Sequence, residues 1–272
     1  MRTRFSVADL GAHGTLVLLS LLSAFPVYWM IASSLRAPND IFSNALIPAA
    51  PTLDNYAYVW SAIPMARMLV NTLVVGLLTT LAQGLTAILA AYALTRWRFA
   101  GQGFIMAALA LTWLVPFQVT MIPNYVLVSQ LGWLDTLTAL LVPHIASAFA
   151  VLLLFQSFNA FPKDLIDAAR IDGASDAAIL WRVVVPPNLS ALATLGILLF
   201  IGAWNDYLWP LLVTRHAENG VVQIGLQMFL TQEGNQWGPL MAAATLASLP
   251  VLILYAALQR QVIDSFMKSG LR

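Results

Sequence analysis

Apolar residues in this chain run in blocks of about twenty, with short polar stretches between them. A helix needs roughly 20 mostly apolar residues to cross about 30 Å of hydrocarbon. That criterion predicts six transmembrane helices, at about 12–32, 69–94, 103–122, 137–157, 191–212 and 239–259. An even number of crossings puts both termini on one side. The first block contains Pro26, Tyr28 and Trp29, lacks a clean small-residue cleavage site and is followed by further blocks, so it reads as a retained span rather than a cleaved leader.

Composition narrows the solvent to a bilayer. The 272 residues are 60% hydrophobic and 9% charged, with a mean hydropathy of +0.80, against about 45–50% apolar and about 25% charged in an ordinary soluble domain. A net charge of +1 with no basic cluster excludes a nucleic-acid partner. Zero cysteines exclude disulfides and thiolate chemistry, and His13, His144 and His216 are too scattered to suggest a metal site. The GxxxxGK[ST], HExxH and GxSxG patterns are absent, so no catalytic site is expected.

Basic residues concentrate in cytoplasmic segments. With the termini inside, those segments hold Arg2, Arg4, Arg96, Arg98, Lys163, Arg170, Arg182, Arg260, Lys268 and Arg272, against Arg36, Arg67 and Arg215 outside. Both termini are therefore expected in the cytoplasm. The outside then has loops of about 33–67, 123–136 and 214–238, and the inside one substantial connection, about 158–190.

Several polar or small residues interrupt the spans. Gly76, Thr80 and Gly84, four apart, form a small face that suits close helix packing. Pro116, Gln118, Thr120 and Pro123 predict a kinked third span whose polar groups face protein or water, making Gln118 and Thr120 candidates for a translocation path. Pro143 and His144 interrupt the fourth. Asn205 and Asp206 complete the candidate path; Asp206 reads equally as an interfacial carboxylate held by Tyr207, Trp209 and backbone groups. One acid costs about 2.5–3.5 kcal/mol at mid-bilayer, which a span with about ten large aliphatic residues tolerates.

The 158–190 connection carries local folding signals. Pro162 suits the first turn of a helix with Asp164 near its positive end. Lys163 with Asp167, and Asp167 with Arg170, have spacings that allow pairing on one face. Gly173 suits a C-terminal stop, Ser175 an N-cap for a second short helix, and Pro186-Pro187 its end. The result is a helix, a glycine corner and a helix, with Ala168, Ala169, Ala174, Ala177 and Ala178 leaving a low surface. It reads either as a docking knob or as a loop packed on its own subunit.

These residues resemble a known family. Asp167-Ala168-Ala169, Gly173 and the Val183 to Pro186 run resemble the EAA loop of the membrane subunits of binding-protein-dependent ABC importers. The wider form "DAARIDGAS…WRVVVPP" is similar to the smaller permease of the carbohydrate-uptake (maltose and glycerol-phosphate) branch. So are "LIPAAPTLDNYAYVW", "RWRFAGQG", "PFQVTMIPNYVLVSQLGWLDT", "WNDYLWPLLV" and "LQMFLTQEGNQWGPLMAA". Three departures stand out. The motif's glutamate is Asp167, an aromatic common near the start of the second loop helix is Leu180 with Trp181 beside it, and the tail "VIDSFMKSGLR" lacks the usual glycine-rich, lysine-containing ending.

The resemblance implies an all-α, polytopic membrane protein with six transmembrane helices and a cytoplasmic EAA coupling-helix loop, one transmembrane domain over 1–272. It implies a non-catalytic permease subunit of an ATP-driven importer for a sugar or sugar-derived solute in a bacterial inner membrane. Its implied partners are a homologous second permease, an ATPase dimer carrying ATP and Mg, an extracytoplasmic solute-binding protein and membrane lipid; the chain itself holds no cofactor. It assigns Asp167, Ala168, Ala169, Asp172, Gly173 and Leu180 to the ATPase contact, and Gln227, Gln232, Glu233 and Asn235 of the 214–238 loop to the binding protein. That loop reads on its residues alone as an ordinary outer loop as well. The rival from another class is a stand-alone secondary carrier or channel using Asp206, His144 and the polar third span, which inverted repeats or several intramembrane charges would favour. Trp113, Tyr125 and Trp204 suit sugar stacking and interfacial belts alike.

Overall fold

The computed structural model describes residues 7–231 and 234–270, with side chains over 11–230 and 234–259. It is helical, with one short hairpin among the described residues, and divides into two compact units: 1–65 with 225–249, and 66–224 with 250–272. Four helical stretches are long and apolar enough to cross a membrane: Gly11–Ser34, Met65–Arg96, Pro186–Val213 and Trp237–Gln259. Two bent pairs bring the number up to six if each pair is one span.

In the first unit, α1 (Val7–Ser34) exposes leucines and valines on every side over most of its length, as a helix facing lipid does. The connection at about 33–67 contains a helix that the hydrophobic pattern does not signal, α2 (Asp54–Ala62). It is fixed from within. The fully buried Arg36 guanidinium donates to the carbonyls of Asp40 and Ala45 and lies 5.1 Å from the Trp29 ring, while Asn55 Nδ2 donates to the carbonyls of Ser34 and Arg36 at 2.9 and 2.8 Å. Strands β1 (Leu230–Thr231) and β2 (Gly234–Asn235) pair antiparallel, Leu230 opposite Asn235, ahead of α13 (Trp237–Gly270).

In the second unit, α3 (Met65–Arg96) is followed by α4 (Gln102–Leu114) and α5 (Phe117–Gln130). The expected third span at 103–122 is not one kinked helix. The chain turns 93° between α4 and α5, because Pro116 lacks an amide hydrogen and forces Val115 into an extended conformation (φ −73°, ψ 118°). Pro123, by contrast, sits inside α5, so most of the supposed 123–136 loop is helix. The fourth stretch is α6 (Leu137–Leu141), a 3₁₀ turn over Val142–His144, and α7 (Ala148–Asn159), bent by 44° and capped by Ser147. The fifth is α10 (Leu189–Trp204), then a break at 205–207 and α11 (Leu208–Val213). The sequence signals a bend at Pro143 but not the break after Trp204.

The small face of α3 is used at one end only. A Cβ on Gly76 would lie 3.1 Å from the Phe200 ring, so that glycine admits a close approach to α10; Gly84 has no such neighbour and faces an apolar cavity of about 310 Å³ with Leu192 and Gly196.

Candidate functional site

The 158–190 connection folds into α8 (Lys163–Ile171), a corner, and α9 (Asp176–Ile179), which widens into a π-helical turn over Leu180–Val184. The corner is built by backbone hydrogen bonds. The amide of Ala174 donates to the Ala169 carbonyl at 3.0 Å and that of Gly173 to the Arg170 carbonyl at 3.0 Å, a pairing that closes a helix only if the residue between takes a left-handed conformation. Gly173 does so, at φ +80°. Ser175 Oγ then accepts from the Ala178 amide, as expected of an N-cap.

The expected intrahelical ion pairs do not form. Asp167 lies 3.5 Å from Arg96 at the end of α3, and Arg170 lies 2.7 Å from Asp176 across the corner. Partners fixed by the fold win over i, i+3 and i, i+4 neighbours, whose intrinsic pairing is worth only about 0.2–0.5 kcal/mol.

Of the residues assigned to a partner contact, Asp167, Ala168, Asp172 and Gly173 are exposed and Ala169 is half-buried. Leu180 is corrected: at 3% exposure it points into its own subunit, where it packs with Ile166, Ile179 and Val184 against Tyr92 of α3, Leu154 and Phe158 of α7, and Leu195 of α10. The exposed apolar groups of the knob are instead Leu165, Trp181 and Ile171, the last 87% exposed. Ile179, Leu180 and Val184 share the inward face of this segment, and Trp181 points outward.

A second site lies among α3, α5, α6, α7 and α10. Val75, Thr79 and Gln83, four residues apart on α3, form one wall of a cavity of about 400 Å³; Phe117, His144 and Phe149 form another, and Gly202, Ala203 and Asp206 a third. His144 Nε2 is 3.9 Å from Asp206 Oδ2. Gln83 Nε2 donates to the His144 carbonyl at 2.7 Å, holding the broken end of the 3₁₀ turn. The backbone amides of Tyr207 and Trp209 lie beside the Asp206 carboxylate at the start of α11. The buried Trp209 indole donates to the Ala139 carbonyl at 2.9 Å. Of the expected path residues, only Asp206 lines this cavity. Gln118, Thr120 and Asn205 are exposed; Thr120 Oγ1 returns to the Phe117 carbonyl and Asn205 Nδ2 to that of Ile201. Thr79 and Gln83 carry no sequence signal beyond polarity in an apolar helix.

The third site is the 214–238 loop. Gln232 and Glu233 lie outside the described residues; Gln227 ends α12 (Val222–Gln227) and Asn235 lies exposed in β2. The 214–222 part is bonded to its neighbours. Asn71 Nδ2 donates to the carbonyls of Glu218 and Gly220, Thr72 Oγ1 accepts from the Val222 amide, and Arg67 pairs with Glu218 at 3.0 Å. Asp135, a residue the sequence did not single out, takes φ +63° in the turn after α5 and accepts from the amides of Arg215 and His216, the His216 ring and Asn219 Nδ2. Partial desolvation works against its charge, but the bonds from His216, Arg215 and Asn219 outweigh it and hold the carboxyl well below the usual carboxylate range.

Apolar spans, bent helix pairs and a helical corner rooted between three of them define a multi-pass membrane component. Residues 83–267 match the family of binding-protein-dependent transport system inner membrane components, and the chain belongs to that family. It is 31% identical over 271 residues to the sn-glycerol-3-phosphate transport system permease protein UgpE of Yersinia pestis bv. Antiqua (strain Antiqua), covering 96% of each chain. It is 30% identical over 274 residues to the arabinooligosaccharides transport system permease protein AraQ of Bacillus subtilis (strain 168), covering 99% of this chain and 98% of the relative. The lactose transport system permease protein LacG of Rhizobium radiobacter is 29% identical over 266 residues, with 98% and 97% covered. The fold is that of a subunit of a bacterial ABC transporter involved in import of the acidic polysaccharide alginate, with a TM-score of 0.81 at 24% identity over 94% of this chain and 98% of that one. The sequence expectation of a non-catalytic ABC importer permease holds.

Proposed function

We propose that this chain is the translocation subunit, one transmembrane domain over 1–272 with both termini cytoplasmic, of an ATP-driven importer for a sugar or sugar-derived solute. It pairs with a homologous permease and two ATPase subunits that bind ATP and Mg, and receives solute from an extracytoplasmic binding protein. The observation that carries this reading is the rooting of the corner. Ile166, Ile179, Leu180 and Val184 interlock with α3, α7 and α10, so a force on the exposed Ala168, Asp172 and Ile171 moves three helices together. Nucleotide-driven closure of a partner that grips this corner then shifts the helices between two arrangements, provided ATP favours one of them. Asp167, Ala168, Ala169, Asp172 and Gly173 form the gripped surface, and Leu180 is its internal anchor. Gln227 and Asn235, with Gln232 and Glu233, serve the binding-protein contact; deleting 233–236 should impair solute release and leave insertion intact.

The similarity to permeases named for lactose, arabinooligosaccharides and sn-glycerol 3-phosphate supports the sugar class. The test is purification of the tagged chain from its own membranes. It should bring down an ATPase and a second permease, and vesicles containing the complex should accumulate solute only with ATP and binding protein. Accumulation by vesicles holding this chain alone would refute the reading in favour of a secondary carrier.

A further inference from the structure

The apolar cavity that Gly84 faces is a slot between two spans. Its lining runs from Thr80 to Ile88 on α3 and from Leu192 to Leu199 on α10, with Trp181 of the corner as its remaining wall. At a rise of 1.5 Å per residue, the α3 side is ~12 Å long. A volume of about 310 Å³ spread over that length leaves a cross-section of roughly 26 Å². A helix with its side chains is about 10–12 Å across and needs roughly 80 Å² or more. A single hydrocarbon chain, whose carbons meet their neighbours at about 4 Å, needs roughly 20 Å². The slot admits the chain and not the helix.

Its chemistry and depth agree with that occupant. The Thr80 hydroxyl is spent on the Gly76 carbonyl at 2.7 Å, and the other α3 and α10 residues of the lining are leucine, isoleucine and glycine, so a polar occupant would find no partner there. A Cβ on Gly84 or on Gly196 meets no atom within 4 Å, and Leu81 and Leu85 on the rim are exposed, so the slot is open on its outer side. It begins at the middle of α3 (Met65–Arg96) and runs toward the corner. Half of a hydrocarbon core about 30 Å thick is ~15 Å, and the slot therefore spans most of one leaflet.

The end at the corner is suited to a phosphate. Trp181 is exposed and its indole N–H has no partner among the described residues. Arg182, the next residue, is exposed and makes no ion pair among the described residues either. Tryptophan favours the level of the lipid headgroups, and a guanidinium matches phosphate oxygens two at a time.

We propose that the slot holds one acyl chain of an anionic phospholipid from the leaflet on the corner side, with its phosphate on Arg182 and Trp181. The lipid then wedges between α3, α10 and the root of the corner, the three parts that must move together if the corner is driven. This goes beyond the importer reading and requires only that these spans lie in a bilayer.

The test uses the complex purified through this chain and reconstituted in nanodiscs with equal amounts of phosphatidylglycerol and phosphatidylcholine, the retained lipids being counted by native mass spectrometry. The wild type should retain phosphatidylglycerol in preference. Arg182→Gln should lower that preference about fivefold, the value of one basic side chain near an anionic leaflet. Gly84→Leu and Gly196→Leu fill the slot without striking the protein and should each retain one phosphatidylglycerol fewer per chain. Equal retention of the two lipids by the wild type, an unchanged preference in Arg182→Gln, or an unchanged count in both leucine variants would overturn the proposal. Loss of the second permease from the leucine variants, with the lipid count unchanged, would overturn it in favour of a protein neighbour at the slot. Absence of an ATPase and a second permease from the wild-type sample would count against the importer reading and leave the lipid counts to be judged as before.

Discussion

Gly173 offers a clean perturbation, because its two possible roles separate. A Cβ built there meets no atom within 4 Å, so a side chain fits. Only the backbone objects: φ is +80°, and the left-handed region costs an L-residue about 1–2 kcal/mol. Gly173→Ala should therefore raise the population of an opened corner by a factor of about 5–30. Gly173→Val should exceed this, since a β-branched residue is a stronger outlier there, while Gly173→Asn, which tolerates the left-handed region, should recover much of the loss. Opening the corner breaks the Ala174–Ala169 and Gly173–Arg170 bonds and frees α8 from α9. Hydrogen exchange across 163–184 reads this directly in the purified complex, and ATP-driven uptake reads its consequence. The order glycine, asparagine, alanine, valine is expected in both. Equal protection in all four would refute the dihedral origin of the corner, and loss of uptake with full protection would place the role of Gly173 in surface contact rather than in shape.

The Asp135 staple predicts a pH signature. Its folded carboxyl lies below the unfolded value near 3.9, so its stabilisation is complete above about pH 5 and is lost as pH falls toward the folded value; the gap in thermal midpoint between wild type and Asp135→Asn should narrow from pH 5 to pH 3, and a constant gap would count against it. Trp209→Phe should cost about 1–3 kcal/mol by leaving the Ala139 carbonyl unpaired, measured by thermal unfolding in detergent. Gly238 and Gly103 are each the second residue of a helix, but a Cβ on Gly238 would lie 2.5 Å from Asn55 Oδ1, on a side chain already bound to two carbonyls, and one on Gly103 meets nothing. Gly238→Ala should destabilise by about 1–3 kcal/mol, whereas Gly103→Ala should stabilise by about 0.5–1 kcal/mol; matching signs would refute the distinction.

Long apolar blocks and the corner were legible in the sequence, because both depend on local chemistry: length against bilayer thickness, Ser175 as a cap, Gly173 as a stop. The 93° turn at Pro116 was half legible. A proline announces a disturbance, but Pro123 in the same segment is absorbed within α5, and only the surroundings decide which of two prolines ends a helix. The orientation of Leu180 was assigned by resemblance alone, although its i, i+4 spacing to Val184 already put both on one face, the buried one. Asp135 and Thr79 were hidden. Their partners or surroundings lie tens of residues away, at His216 for one and across a cavity from Asp206 for the other, and no spacing rule reaches that far.

The bonds that Asp135, Asn71 and Thr72 make to the 214–222 segment have a mechanical consequence. Three stretches far apart in sequence are riveted by side chain to main chain, so the end of α3 near Arg67, the turn after α5 and the chain following α11 cannot slide past one another without breaking several bonds at once. They travel as one plate. Any rearrangement that lets a solute pass must then hinge outside that plate.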